Sequence, residues 1–504
     1  MTSPSTNLIA RFGSILGSSQ VLADPASCAA YAVDGVLPSV VVKPSSAEQV
    51  AEIVRLASLE KLALIPCGNR TKLAIGMPPS RFDIALDMTA LNQIPHYDPG
   101  DLTVSADAGT PLTKLNALLN EHNQFLPLLV PWYSRSTIGG TINSGVHSPL
   151  QQFYGTARDF LIGAEFVTGS GALVKSGGRV VKNVTGYDLH KLLVGSLGSL
   201  AVITRLNFRT FPAPIAGSRG FVASFPSAEG ALALRRAIAK SSLTPLTHDI
   251  ISPELAHIFA TRTPTTPEVA VFAGENRTPS QTSLPPVGDW FSSREWQLCA
   301  AFAGTPEVLT RYARELTLLA ERSRANSTTI LDDATRPAFW GRLRESLSLF
   351  LEASPATAIF KISVLPGHHA TLFESLRQIA DHAALPHALV ARAGGTIYFA
   401  LLPASANEET ISLLAHCATR SFNAVSAAGG PDPRNRGHAT LLFAPLALKQ
   451  KINMGGPHPV APASSRPTTN SHAHQVPGIT LMCRLKTAFD PQNILAPGRF
   501  AGGI

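Results

Sequence analysis

The chain has 504 residues, enough for two or three domains that each bury a core, and its 45% hydrophobic and 15% charged residues describe a folded rather than a disordered protein. The formal charge of +8 is spread thinly with no long Lys/Arg run. That argues against nucleic acid as a partner and is as compatible with a mildly basic surface as with anionic ligands. Cys28, Cys67, Cys299, Cys417 and Cys483 are scattered, with no C-x-x-C pair. No zinc or iron–sulfur site is expected in this chain, and so sparse a set fits a reducing compartment. Met1 to Gln20 lacks a basic segment followed by an apolar one, and no run of eighteen apolar residues occurs. The expectation is a cytoplasmic chain without signal peptide or spanning helix, with peripheral association at the inner face of the cell membrane left open.

In chain order, the first predicted element is a β-branched strand, Val40 to Val42. Ser45-Ser46-Ala47-Glu48 reads as a capping box with Ser45 as N-cap, and Val50, Ile53, Val54 and Ala57 give the following helix its apolar face. Leu62 to Ile65 predicts a buried strand that runs into Pro66-Cys67-Gly68-Asn69-Arg70-Thr71-Lys72. Leu102 to Ala106 predicts another strand. Thr110-Pro111 then reads as an N-cap with proline at the first helical position, ahead of Leu112, Leu115, Leu118 and Leu119. From Ser134 to Gly155 the chain is rich in Gly, Ser and Asn. Gly163 to Val167 and Ala172 to Lys175 are strand-like, and Thr168-Gly169-Ser170-Gly171 between them suits a hairpin. After Phe211-Pro212-Ala213-Pro214 helical segments such as Thr305 to Arg322 alternate with strands such as Ala358 to Val364 and Thr396 to Leu402. That is the pattern of a second α+β domain. Gly455 to Val476 has no periodicity and reads as a flexible linker or insertion. The last segment, Gly478 to Arg499, carries a helix that ends near Phe489, before Asp490-Pro491.

Three glycine-rich stretches carry chemistry. In the first, Gly68-Asn69-Arg70-Thr71-Lys72 with Gly76 beyond, N–H groups after a strand can converge on an anion. Arg70 and Lys72 add charge and Thr71 a hydroxyl, which matches a diphosphate; an ordinary strand-ending turn is the alternative. The second, Ser136 to Gly145, has adjacent Gly139 and Gly140 that let backbone approach a flat ligand, with a plain glycine-rich hairpin as the alternative. The third runs from Gly177 to Leu189 and on through Gly195-Ser196-Leu197-Gly198. Its glycines lack the G-x-G-x-x-G order, so it is not a Rossmann fingerprint.

The order of these stretches is more specific than any one of them. Pro66, Gly68 and Gly76 come first, then Ser136-Thr137-Ile138-Gly139-Gly140, Tyr154-Gly155-x-x-Arg158-Asp159 and Asn183-x-x-Gly186-Tyr187-Asp188-Leu189. From about Leu37 to Pro214 the chain resembles the PCMH-type FAD-binding domain of the vanillyl-alcohol oxidase superfamily. Phe489-Asp490-Pro491-Gln492-Asn493-Ile494-Leu495-Ala496-Pro497-Gly498-Arg499 resembles that superfamily's closing motif. With Gly437-His438-Ala439-Thr440-Leu441-Leu442-Phe443 included, the chain is most similar to the FAD-binding subunits of bacterial glycolate oxidases (glycolate dehydrogenases), while Ala216 to Pro431 matches only loosely.

The resemblance implies an α+β fold: a PCMH-type two-subdomain FAD-binding domain over 37–214, then a smaller ferredoxin-like α+β cap over 215–450. Residues 455–476 would be a linker or insertion, and 478–504 would pack back on the FAD domain. It implies FAD, held noncovalently because the first loop has no histidine. Carried onto this sequence, cofactor contacts fall in the first loop on Pro66, Gly68, Asn69, Arg70, Thr71 and Lys72. In the second they fall on Pro131, Ser136, Thr137, Gly139, Gly140, Thr141, Asn143 and Gly145. Arg158, then Asn183, Gly186, Tyr187 and Asp188, and finally Val202 complete the set. The implied partners are a second flavin subunit, an iron–sulfur subunit and a small 2-hydroxy acid, with membrane association through the complex. The sequence departs from the family where Asn69 and Arg70 replace glycine and Ala496 replaces asparagine.

Oxidation of a 2-hydroxy acid needs a cationic clamp for the carboxylate, a base for the hydroxyl proton and a hydride acceptor. Full catalytic relatives carry a His-x-Gly-Asp-Gly-Asn-type cluster in the second domain, which this sequence lacks. His368 and His369 read as exposed loop histidines, and His438 as a loop or strand-start histidine with a structural hydrogen bond, a catalytic role being the alternative. Lys361, in a strand-like run, faces either solvent or a cleft. The catalytic residues stay unassigned, and the substrate is expected in the partner flavin subunit, with a free-standing oxidoreductase as the alternative.

Overall fold

The computed structural model describes residues 6–180, 186–214, 217–264, 291–333, 335–430, 432, 435–456 and 478–504. Strands β1 (Val21–Leu22), β2 (Val40–Val42), β3 (Leu64–Cys67) and β4 (Ile84–Asp87) form one sheet in the order β1-β2-β4-β3. β2, β4 and β3 run parallel, with the helix Ala47–Leu59 crossing between β2 and β3. Its apolar face, Val50, Ile53 and Val54, packs on Val40, Val42 and Leu86. The cap of this helix sits one residue later than its sequence suggests. Ser46 Oγ accepts from the Gln49 N–H at 3.2 Å, and Gln49 Oε1 accepts from the Ser45 N–H at 2.8 Å. Gln49, not Glu48, is three residues beyond the hydroxyl that the buried register makes the cap.

A second, antiparallel sheet follows. It takes β5 (His96–Asp98), β6 (Thr103–Asp107), β8 (Leu161–Thr168), β9 (Leu173–Gly177) and β10 (Ala201–Arg209) in the order β5-β6-β10-β8-β9. β7 (Gln124–Phe125) and β11 (Phe211–Pro212) pair separately. Pro111 rather than Thr110 occupies the N-cap of the helix Leu112–Asn120; the Thr110 hydroxyl donates to the Gln93 carbonyl instead. The glycine-rich stretch after Ser136 is a helix, Ile138–Ser144, not a hairpin. Thr137 caps it, with Oγ1 accepting from the Gly140 N–H, and Gly145 ends it in the left-handed region at φ 60°. A Cβ on Gly139 would lie 2.8 Å from that of Ala108, so this glycine lets the helix sit down on the sheet.

The remaining strands form one eight-stranded antiparallel sheet. They are β12 (Ser218–Phe225), β13 (Thr247–Ile251), β14 (Trp296–Ala303), β15 (Ser327–Leu331), β16 (Ala358–Ser363), β17 (His387–Ala391), β18 (Thr396–Leu401) and β19 (His438–Phe443). The order is β15-β12-β14-β13-β17-β18-β16-β19. The second half has the βαββαβ order of a ferredoxin-like unit and the first has the same order with an added helix, Pro253–Thr261, between β13 and β14; the halves join where β13 pairs with β17. The ferredoxin-like expectation thus holds twice over, and the cap carries the largest sheet of the molecule. Alternation buries both of its faces. On β18, Ile397, Phe399 and Leu401 enter one core, while Tyr398 and Ala400 enter another that also takes Trp132 and Val146 from the first sheets' side. The tail returns to the start of the chain. After the helix Ile479–Phe489, Leu64 donates to the Ile494 carbonyl and accepts from the Ala496 N–H, both at 2.8 Å, so residues 494–496 extend the edge of β3.

Candidate active site

Two neighbouring clefts lie on either side of the helix Ile138–Ser144. The first encloses about 720 Å³ of non-atom space, its mouth included, and is walled by residues 65–73 with Thr137, Gly139, Gly140 and Asn143. Among the described residues, no backbone N–H from Gly68 to Lys72 donates to another protein group. Arg70 stands in the left-handed region at φ 61°, which lets neighbouring amides turn toward one point. Gly68 has to be glycine, because a Cβ there would lie 2.1 Å from Thr137 Oγ1, the cap of the adjoining helix. Lys72 is buried beside this row. Its ammonium donates to Ser136 Oγ at 2.6 Å and to Thr71 Oγ1 at 3.3 Å, with no carboxylate in ion-pair range among the described residues. Burial lowers it to about 7, against the pull of Glu345. A row of unpaired N–H donors beside a buried cation without a counter-ion is a donor set for a diphosphate, so the residues present fit FAD.

The sequence-derived site residues separate here. Pro66, Gly68, Asn69, Arg70, Thr71, Lys72, Thr137, Gly139, Gly140 and Asn143 line the first cleft. Thr141, Gly145 and Arg158 line the second. Ser136 lies behind the wall, donating to the carbonyls of Trp132 and Pro131. Val202 points the other way, into the core with Val54 and Val167; by strand alternation it is Ile203 that reaches the cleft. Gly186, Tyr187 and Asp188 line neither cleft: Tyr187 is exposed and Asp188 pairs with Lys191 at 2.6 Å. Asn183 lies outside the described residues. Arg499 also lines the first cleft, and sequence reasoning gave it no role. It is buried, donates to the carbonyls of Leu73, Ile75 and Met77, and so ties the closing motif to the segment behind the first loop.

The second cleft, about 740 Å³ with its mouth, lies between the first sheets and the cap and is reached by Lys361 of β16. Lys361 does not point to solvent. Its ammonium donates to the Gly145 carbonyl at 2.8 Å and meets His147 Nε2 at 3.1 Å. His147 Nδ1 lies 3.1 Å from Thr396 Oγ1 of β18, and its backbone N–H donates to Tyr398 Oη at 3.1 Å. Because an ammonium only donates, Nε2 is the acceptor and the ring proton sits on Nδ1, shared with Thr396. Burial, then the charges of Lys361 and Arg392, lowers His147 to about 3, so the ring is neutral; burial lowers Lys361 to about 8. His147 escaped sequence reasoning, since its partners come from strands more than two hundred residues away. His369 is not an exposed loop residue but buried on Phe373, with Arg235 beside it, and His438 is exposed at the start of β19 and lines neither cleft. Among the described residues no group of three or more His, Cys, Asp or Glu is placed to hold a metal ion, and no helix is long and apolar enough to cross a membrane.

Comparisons with known proteins agree with this geometry. A family described as "FAD binding domain" matches residues 38–177, and one described as "FAD linked oxidases, C-terminal domain" matches residues 218–431 and 471–500. Glycolate oxidase subunit GlcE of Escherichia coli is 36% identical over 33% of this chain and 47% of its own length. Glycolate oxidase subunit GlcD of Bacillus subtilis is 23% identical over 92% of this chain and 89% of its own. D-2-hydroxyglutarate dehydrogenase of Stutzerimonas stutzeri is 31% identical over 42% of this chain and 46% of its own. The first and third matches therefore span about half of those relatives. Among solved structures, p-cresol methylhydroxylase superposes with a TM-score of 0.72 at 17% identity, over 98% of this chain and 96% of that one, which establishes a shared fold. With both halves of the chain matched in this way, the chain belongs to the FAD-linked oxidases, a family of FAD-dependent oxidoreductases.

Proposed function

We propose that this chain is the FAD-binding subunit of a glycolate-type (2-hydroxy acid) oxidase, and that it binds the 2-hydroxy acid in its own interdomain cleft. Residues 37–214 and 478–504 hold the cofactor and 215–450 form the cap. The observation that carries the reading is Lys361, a cap lysine fixed against Gly145 with no carboxylate partner among the described residues, at the wall of the cleft next to the cofactor's. The diphosphate is assigned to the N–H row of residues 68–72 with Lys72 beneath it. When bound, FAD accepts the two electrons of the oxidation. The chain supplies binding and position: Lys361 clamps the carboxylate, and the cleft between cap and first sheets shields the reacting carbon from water, while the group that takes the hydroxyl proton stays unassigned. The relatives named as glycolate oxidase subunits and as a D-2-hydroxyglutarate dehydrogenase support a 2-hydroxy acid as substrate and a second flavin subunit with an iron–sulfur subunit as partners.

A second reading keeps the flavin here but oxidises the substrate in the partner subunit; the missing His-x-Gly-Asp-Gly-Asn-type cluster favours it. One preparation separates the two. The chain purified alone, without added cofactor, should release FAD into the supernatant on acid precipitation. It should then turn over glycolate or D-lactate with a dye acceptor. FAD content without turnover would leave the relay reading; failure to take up FAD would end both.

A further inference from the structure

At the wall of the second cleft, the backbone N–H and both ring nitrogens of His147 are taken up by the cap. Its backbone N–H goes to Tyr398 and Nδ1 to Thr396, both on β18, while Nε2 accepts from Lys361 on β16. Thr396 Oγ1 is held in turn by Gln151 Nε2 at 3.3 Å. The imidazole is therefore locked in orientation by the cap, although it belongs to the segment that follows the cofactor helix. Lys361 has three N–H bonds to give. One goes to the Gly145 carbonyl and one to His147, and among the described residues the third has no protein acceptor, while the side chain lines the cleft.

We propose that His147 is a positioning residue for the 2-hydroxy acid, holding the Lys361 ammonium so that its remaining N–H faces the substrate carboxylate. The inference rests on the interdomain cleft being the substrate site. An acceptor at Nε2 does two things. It fixes the rotation of the ammonium about its last bond, and it stabilises the charged form, which burial disfavours. The other groups facing the pair are the Tyr398 hydroxyl, Arg392 just beyond β17 with its partner Asp249, and Arg158 on the cleft wall. Arg392 and Arg158 add positive charge, and Asp249 is taken up by Arg392 at 2.7 Å. Among the described residues no carboxylate lies in ion-pair range of Lys361 to compete with an incoming one.

The test uses the FAD-loaded protein and oxalate, a planar analogue of a 2-oxo acid that the flavin cannot oxidise, titrated calorimetrically from neutral to alkaline pH. Wild-type binding should weaken as pH rises through about 8, where Lys361 loses its proton. His147→Leu should move that midpoint down by about one pH unit and weaken binding about tenfold at neutral pH. His147→Gln, which keeps an acceptor, should restore most of both. Lys361→Met should abolish the pH dependence. FAD content of each variant reports its folding. If His147→Leu binds with the wild-type midpoint and affinity, the positioning role is wrong while the substrate site stands. If the wild type does not bind oxalate at all, the substrate site falls and this role with it.

Discussion

Lys72 sits under the first cleft with a hydroxyl on either side and, among the described residues, no carboxylate in ion-pair range. Burial lowers it from its ordinary 10.5 to about 7. The sign of the resulting pH dependence is fixed. Between those two values the unfolded chain holds a proton that the folded chain has lost, so folding stability rises with pH across that window. The penalty is fully present below about pH 7 and fades toward 10.5. Lys72→Met should therefore raise the melting temperature of the FAD-free protein, most at acidic pH and least toward pH 10. The same variant should bind FAD about tenfold more weakly at neutral pH, the worth of one charge-assisted contact to the diphosphate. Wild-type FAD affinity should decline above pH 7 as that charge must be restored by proton uptake, and the variant should lack the decline. Thermal unfolding of the FAD-free protein measures the first and flavin fluorescence titration the binding, and an unchanged affinity in Lys72→Met would remove Lys72 from the diphosphate site. The charge of Lys72 was legible in the sequence; its burial was not, because Ser136 and Trp132 are brought over it by a different loop.

Elements were legible where the sequence carried its own punctuation. The helix after β2, the hairpin of β8 and β9 and the stop at Asp490-Pro491 all follow from local signals, with the caps at Ser46 and Pro111 displaced by one residue. The helix Ile138–Ser144 was hidden because its glycines are there for packing on Ala108, and glycine otherwise signals a loop. The tail shows a third case: its motif was readable but its anchoring was not. Asp490 accepts from the N–H groups of Ile494 and Leu495 and pairs with Lys486 at 2.7 Å, and that ammonium also reaches the carbonyls of Ser199 and Leu495. Both side chains are buried. Asp490→Ala strands an ammonium and should cost about 3–5 kcal/mol in denaturant unfolding. Adding Lys486→Met removes the stranded charge, so the double variant should be more stable than Asp490→Ala alone. A double variant as unstable as the sum of the two single changes would mean that the pair does not act as a unit.

Across the whole molecule, the proposed function divides holding the cofactor and holding the substrate between different surfaces. The residues lining the first cleft come from the first two sheets' side and from Arg499 of the tail, with none from the cap. The second cleft exists only where Lys361 arrives from β16. The contacts that bring the cap there are apolar and polar together: Trp132 and Val146 share a core with Tyr398 and Phe443, and beside it Trp132 N–H donates to Glu345 Oε2 at 2.7 Å, His147 N–H to Tyr398 Oη, and Lys361 to Gly145. Removing the Tyr398 hydroxyl tests this division with little change of volume. Tyr398→Phe leaves the His147 N–H without its acceptor and should lower stability by about 1 kcal/mol. Because Tyr398 touches nothing in the first cleft, the variant should purify with its full complement of FAD. The segment that carries Gly145 and His147 loses one of its two fixes on β18, the Thr396 contact remaining, so the pair with Lys361 loosens and the KM for the 2-hydroxy acid should rise several-fold with kcat less affected. If FAD content falls together with substrate affinity, the two clefts are coupled through the helix Ile138–Ser144 that they share, and the cap helps to hold the flavin as well as the substrate.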